Sequence, residues 1–62
     1  MNIGLVNFRN NNKLTQKQMA EKLGTTLSYY SKIELGLRNP SYNFLEKFKT
    51  CFREVILDEI FF

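Results

Sequence analysis

The sequence has no histidine, no tryptophan and only one cysteine, Cys51. A lone cysteine excludes an intramolecular disulfide framework, and without histidine an ordinary zinc site cannot be assembled. Most general acid–base catalysis also loses its usual side chain, the imidazole. We therefore expect no metal, no cofactor and no catalytic residue, and we interpret Cys51 as a small hydrophobic residue of the core.

The chain is also short, with 62 residues, of which 44% are hydrophobic and 24% are charged. This length predicts a single domain, residues 1–62, of marginal stability and without room for a typical substrate pocket. Ser28 and Lys32 lie one helical turn apart, but we do not interpret them as a catalytic pair. No apolar run approaches the ~20 residues that span a bilayer, and the N-terminus lacks the features of a signal peptide. We expect a soluble, cytoplasmic protein.

Acidic residues are fewer than basic ones, six against nine, which leaves a net charge of +3. Residues 1–50 contain eight Lys and Arg against three acidic residues, a balance of +5. Residues 51–62 contain one Arg against three acidic residues, a balance of −2. This asymmetry suggests two different surfaces, although charge alone favours the interpretation as ordinary solvated side chains.

Apolar residues recur at spacings of three and four, which predicts an all-α fold, a compact bundle of about five short helices. The expected helices are a first at about Ile3 to Asn10, a second capped by Thr15 and ended by Gly24, a third at about Leu27 to Glu34, a fourth capped by Ser41, and a weaker fifth at Leu57 to Phe62. Gln18 stands in capping-box position to Thr15. The expected core includes Met19, Leu23, Tyr30, Ile33, Phe48 and Phe52.

The strongest signal is that the second and third helices are joined by a turn of about three residues. The small side chain of Ala20 lets the two helices cross closely, and Gly24 adopts a left-handed turn without a Cβ. Tyr30 and Ile33 are expected to hold the third helix against the core. We interpret residues 15–35 as a helix-turn-helix.

The opposite side of the third helix is small, polar and cationic, with Leu27, Ser28, Ser31, Lys32 and the edge of Tyr29. A helix held in this way can enter the major groove of DNA and present its N-terminal half to base edges. The alternative is a plain solvated helix face.

The stretch LTQKQMAEKLGTTLSYYSKIELGLRNPS, residues 14–41, resembles the helix-turn-helix domain of the Cro and lambda-repressor-like family, also called the xenobiotic-response-element family. The matching residues are Arg9, Leu14-Thr15-Gln16, Met19-Ala20, Leu23-Gly24, Ile33-Glu34, Gly36, Arg38 and Pro40. With residues 57–61 as the last helix, the resemblance covers nearly the whole chain. It implies a five-helix domain that binds double-stranded operator DNA, usually as a symmetric dimer. The interpretation that it favours is a Cro-like repressor at a palindromic operator.

The resemblance also implies roles for individual residues. The implied DNA-binding residues are Gln16, Thr26, Leu27, Ser28, Tyr29, Lys32, Arg38, Asn39, Tyr42 and Asn43. Of these, Leu27, Ser28 and Lys32 would face base edges, and most of the others would approach the DNA backbone. Arg9 and Glu34 would form an internal ion pair. Tyr30 replaces the usual small aliphatic residue, so its hydroxyl must reach the surface or find a partner.

The C-terminal segment, residues 54–62, contains more large apolar residues than so small a domain can bury. We expect a dimer interface here that contains Ile56, Leu57, Ile60, Phe61 and Phe62. The alternative is that the segment folds back over the core as a fifth helix, with dimers forming only on DNA. A second alternative function is a protein-interaction module, of the antitoxin or adaptor kind, that uses the same apolar segment. We expect no small-molecule effector.

Overall fold

The computed structural model describes all 62 residues and contains five α-helices and no strand. The helices are α1 (Ile3–Asn11), α2 (Gln16–Lys22), α3 (Leu27–Leu35), α4 (Tyr42–Cys51) and α5 (Leu57–Phe61). The predicted all-α fold is therefore confirmed, with small shifts at the helix ends. None of the helices has the length and apolar character needed to cross a membrane.

Local side-chain hydrogen bonds mark the starts of the first four helices, whereas α5 begins without one. The capping box of Thr15 and Gln18 is formed in both directions at the start of α2. Thr26 and Ser41 likewise accept the N–H of the third residue that follows each of them, which satisfies donors that a helix start leaves free. At the end of α3, Gly36 takes a left-handed φ of 81°, as expected for a glycine C-cap.

The core contains residues from the first four helices: Leu5, Met19, Ala20, Leu23, Tyr30, Ile33, Phe44 and Phe48. Phe48 lies at its centre, with the rings of Phe8, Phe52 and Phe61 at centroid distances of 5.3, 5.1 and 5.0 Å. Phe52, expected in the core, is only half-buried because it caps the end of α4. The core therefore fixes α3 against α2 and α4 and orients its outer face.

The prediction that Cys51 belongs to the core is wrong, because its side chain is exposed. Cys51 is the last residue of α4, beyond the turn that carries Phe48 into the core. Its thiol donates a hydrogen bond to the carbonyl oxygen of Lys22 at 3.3 Å. Cys51 thus joins the ends of α2 and α4 at the surface.

The C-terminal helix packs against the first. A Cβ on Gly4 would lie 2.5 Å from the carbonyl oxygen of Ile60, so the two helices approach more closely than any residue larger than glycine allows. The turn between α4 and α5 is held by Lys49, whose Nζ donates to the carbonyl of Val55 at 2.5 Å. The chain therefore folds its apolar C-terminal segment back onto its own body.

Candidate nucleic-acid interface

A buried carboxylate joins the first three helices beneath the candidate interface. Glu34 on α3 is only 3% exposed. It accepts hydrogen bonds from Arg9 of α1 at 2.6 Å, from Gln16 of α2 at 2.9 Å and from the hydroxyl of Tyr30 at 2.5 Å. The structure thus contains the expected Arg9–Glu34 ion pair, and the Tyr30 hydroxyl has found a partner.

The protonation of this cluster follows from its contacts. Burial raises the pKa of Glu34, but hydrogen bonds from Arg9, Tyr30 and Gln16 outweigh burial and hold that pKa below its ordinary value. The hydrogen bond to Glu34 raises the pKa of Arg9. Burial, followed by the bond to Glu34, raises the pKa of Tyr30 well above the usual range. Glu34 is therefore ionised, with its charge matched internally by Arg9, so it presents no unpaired negative charge to an anionic ligand.

Gln16 is the first residue of α2 and is half-buried. The sequence predicted a DNA contact for it, but not the hydrogen bond from its side-chain amide to Glu34. The two residues lie 18 positions apart, so no local pattern indicates that bond. The contact fixes the start of α2 relative to the C-terminal half of α3.

The outer face of α3 is free in the structure. Leu27, Ser28 and Lys32 are exposed, whereas Tyr30 and Ile33 on the opposite side are buried. The exposed face is thus apolar at its first residue and polar or cationic over the next turn. Its side chains are available to a ligand without any change in the fold.

Thr26 and Ser31 already make hydrogen bonds in the first turns of α3. The Thr26 hydroxyl accepts the N–H of Tyr29 at 3.1 Å, so it is already used as a cap. Ser31 is half-buried and donates to the carbonyl of Ser28 at 3.2 Å. These bonds stabilise the first turns of α3 at the place where a base-reading helix must be rigid.

Tyr29 is half-buried and turned toward α4. Its hydroxyl accepts the backbone N–H of Ser41 at 3.1 Å, and its ring lies edge-on to Phe44 at a centroid distance of 5.9 Å. The guanidinium carbon of Arg38 lies 5.6 Å from the centre of the Tyr29 ring. The sequence did not indicate these contacts, because they join segments about ten residues apart.

The loop before α4 and the first turn of α4 form the second part of the candidate interface. Arg38, Asn39, Tyr42 and Asn43 are all exposed. Neither Arg38 nor Lys32 of α3 takes part in an ion pair, since the only one in the structure joins Arg9 and Glu34. Contacts of Tyr29 place this loop beside the N-terminal half of α3, so both cations are available on adjoining segments.

The residues predicted for the dimer interface are divided between the core and the surface. Leu57, Ile60 and Phe61 are half-buried and pack against the core. Ile56 and Phe62 remain 57% and 83% exposed. The segment therefore folds back as a fifth helix and still leaves two large apolar side chains at the surface.

Comparison with known proteins identifies the family. The model of the Helix-turn-helix family matches residues 5–48, which is most of the chain. The chain is also 51% identical over 37 residues to YqaE of Bacillus subtilis (strain 168), described as an uncharacterised HTH-type transcriptional regulator. That match covers 60% of this chain and 32% of YqaE, so the chain spans about a third of the relative's length. No solved structure gives a significant match. The chain thus belongs to the helix-turn-helix family, and residues 5–48 form a domain of that DNA-binding kind.

Proposed function

We propose that the chain recognises double-stranded DNA by sequence, with α3 in the major groove, and acts as a Cro-like repressor on a palindromic operator. The observation that carries this proposal is the exposed face of Leu27, Ser28 and Lys32 on a helix whose other side is locked into the core. A rigid helix with short and cationic side chains on its free face fits the width and chemistry of that groove.

Leu27, Ser28 and Lys32, three exposed residues of α3, each have a chemical counterpart on the base edges. The hydroxyl of Ser28 donates or accepts, and the ammonium of Lys32 matches the O6 and N7 acceptors of guanine. Leu27, which is exposed and apolar, is suited to the methyl group of thymine. We assign sequence preference to these three side chains.

The remaining polar residues are assigned to the DNA backbone. They are Gln16, Thr26, Arg38, Asn39, Tyr42 and Asn43, at the starts of α2 and α3 and around the start of α4. Contacts with phosphate fix the register and orientation of a protein on the duplex but carry no sequence information directly. Arg38 is the main cation of this group.

We further propose that two copies associate through residues 54–62, with Ile56 and Phe62 at the contact. A two-fold dimer places its recognition helices about 34 Å apart, one turn of B-DNA, which requires a palindromic site. The exposed acidic residues Asp58 and Glu59 lie on this segment, and they favour an orientation in which it faces away from the phosphates.

Salt dependence tests DNA binding against the alternative of an apolar protein-interaction module. We expect the affinity for a labelled duplex, measured by fluorescence anisotropy, to fall by orders of magnitude between 50 and 200 mM salt, as about six or more phosphate contacts require. Arg38→Ala is expected to weaken binding to all duplexes alike. It should also make the negative slope of log K against log salt shallower by about one, because one phosphate contact is lost.

Arg53→Ala is the matched control, because Arg53 is exposed but lies after α4, away from the proposed interface. It is expected to leave the slope nearly unchanged. Absence of duplex binding at low salt contradicts the proposed function, and an equal effect of both substitutions contradicts the assignment of Arg38.

A further inference from the structure

We propose that Tyr29 is a positioning residue, which holds Arg38 and the start of α4 in place relative to the base-reading face of α3. This inference rests on the proposed function and refines it, because it takes Tyr29 out of the set of direct DNA contacts. Tyr29 then acts through Arg38, the side chain that meets phosphate.

The position of Tyr29 is itself well determined. Its backbone N–H is bound by the Thr26 hydroxyl at 3.1 Å in the first turn of α3. Its ring packs edge-on against Phe44, which is buried in the core. A residue that is held in this way both at its backbone and at its ring can orient the groups that contact it.

The hydroxyl of Tyr29 reaches the start of α4. Ser41 is the N-cap of α4 and accepts the N–H of Phe44 through its side chain. The backbone N–H of Ser41, just before the helix, donates to the Tyr29 hydroxyl at 3.1 Å. Hydrogen bonding to Ser41, through its side chain first and its backbone N–H second, lowers the pKa of Tyr29 against the effect of burial, and the nearby charge of Arg38 lowers it further.

The ring of Tyr29 supports the guanidinium of Arg38, whose central carbon lies 5.6 Å from the ring centre. Arg38 has no carboxylate partner, so the ring is the contact that restricts its long side chain in the free protein. A cation held over an aromatic face loses less conformational freedom when it meets a phosphate. We expect this contact to change the Kd for DNA by about two- to fivefold.

A double-mutant cycle on DNA affinity tests the inference. Tyr29→Leu keeps apolar bulk against Phe44 but removes the aromatic face, and it is expected to raise Kd two- to fivefold. In an Arg38→Ala background the same substitution is expected to raise Kd by a clearly smaller factor, because the cation that the ring positions is gone and only the bond to Ser41 is lost. In a Lys32→Ala background the full effect of Tyr29→Leu is expected, since the cation over the Tyr29 ring is Arg38 and not Lys32. Equal effects of Tyr29→Leu in all three backgrounds overturn the inference.

Two measurements without DNA keep the test independent of binding and of the folding of the leucine variant. In the unaltered chain, the δ-protons of Arg38 are expected to show an upfield ring-current shift in NMR spectra, and its absence overturns the inference. Tyr29→Phe keeps the ring but removes the acceptor of the Ser41 N–H. It is expected to preserve that shift and to speed exchange of the Ser41 amide. If the exchange rate of the Ser41 amide is unchanged, the proposal that Tyr29 holds the start of α4 is wrong.

Failure of the proposed function and failure of the positioning role of Tyr29 give different results. If the unaltered chain binds no duplex, the proposed function is wrong. If it binds duplex DNA but the effects of Tyr29→Leu and Arg38→Ala simply multiply, DNA binding stands and the positioning role of Tyr29 is wrong.

Discussion

Glu34 shows how one side chain links stability to the geometry of the interface. Its carboxylate takes donors from α1, α2 and α3, so a charge that is costly to bury is paired and hydrogen-bonded. One of those donors, Gln16, is also proposed to meet the DNA backbone. A change at Glu34 should therefore affect folding first and DNA binding as a consequence.

Replacement of Glu34 by alanine leaves Arg9 without its partner in a largely buried site. Breaking such a pair costs about 3–5 kcal/mol, against a total of roughly 3–9 kcal/mol for a chain of 62 residues at ~0.05–0.15 kcal/mol per residue. We expect Glu34→Ala to be largely unfolded in thermal melts followed by circular dichroism. Glu46→Ala, which removes an exposed glutamate, is the control and is expected to melt near the original temperature.

Acid should weaken the same cluster. Because the pKa of Glu34 is lowered in the folded state, its contribution to stability is complete above the ordinary glutamate pKa of about 4.3 and is lost as pH falls through the folded-state value. We expect the free energy of unfolding in urea to fall between pH 5 and pH 3. Glu34→Gln does not titrate, and its amide oxygen can still accept from Arg9, so this variant is expected to fold and to show a smaller fall. Equal falls in both proteins contradict this assignment.

At the scale of helices, the packing of α5 on α1 depends on Gly4. A methyl group there would meet the backbone of Ile60 at 2.5 Å, and a backbone atom cannot rotate away as a side chain can. The helix itself tolerates alanine better than glycine, so any loss of stability must come from this contact.

We therefore expect Gly4→Ala to destabilise the fold by about 1–3 kcal/mol, as overpacked sites do, despite the gain in helix propensity. Chemical denaturation measures the effect. Asn7→Ala, at an exposed position of the same helix, is the control and is expected to be neutral or slightly stabilising. A stable Gly4→Ala chain would show that α5 does not approach α1 as closely as described.

The sequence predicted contacts within one helical turn but not contacts between distant segments. The Thr15–Gln18 capping box and the Gly36 cap lie within single turns, so residue type and spacing were sufficient to place them. The bonds of Gln16 to Glu34 and of Tyr29 to Ser41 join separate helices, and no spacing rule indicates them. Cys51 was misplaced for a related reason: helical periodicity assigns a face but does not show that the core ends before the helix does.

At the scale of the whole molecule, the exposed Ile56 and Phe62 bear on assembly. We expect sedimentation at micromolar concentration to show a dimer, and Ile56→Ser with Phe62→Ser to convert it to a monomer. Leu37→Ser is the control, because Leu37 is similarly exposed, at 70%, but lies in the loop before α4. A chain that stays monomeric both in solution and on a palindromic duplex contradicts the proposed dimer.

The proposed function depends on base contacts made by the outer face of α3. These contacts are measured by selecting bound sequences from a random duplex pool with the unaltered chain and with the double variant Ser28→Ala, Lys32→Ala. Both positions are exposed, so the double variant is expected to fold.

We predict that the unaltered chain enriches a palindrome with half-sites one helical turn apart. The double variant is expected to bind DNA with a relaxed preference within each half-site, since each lost base contact removes about 1–3 kcal/mol of discrimination. An identical enriched sequence for both proteins would contradict the claim that α3 reads the bases.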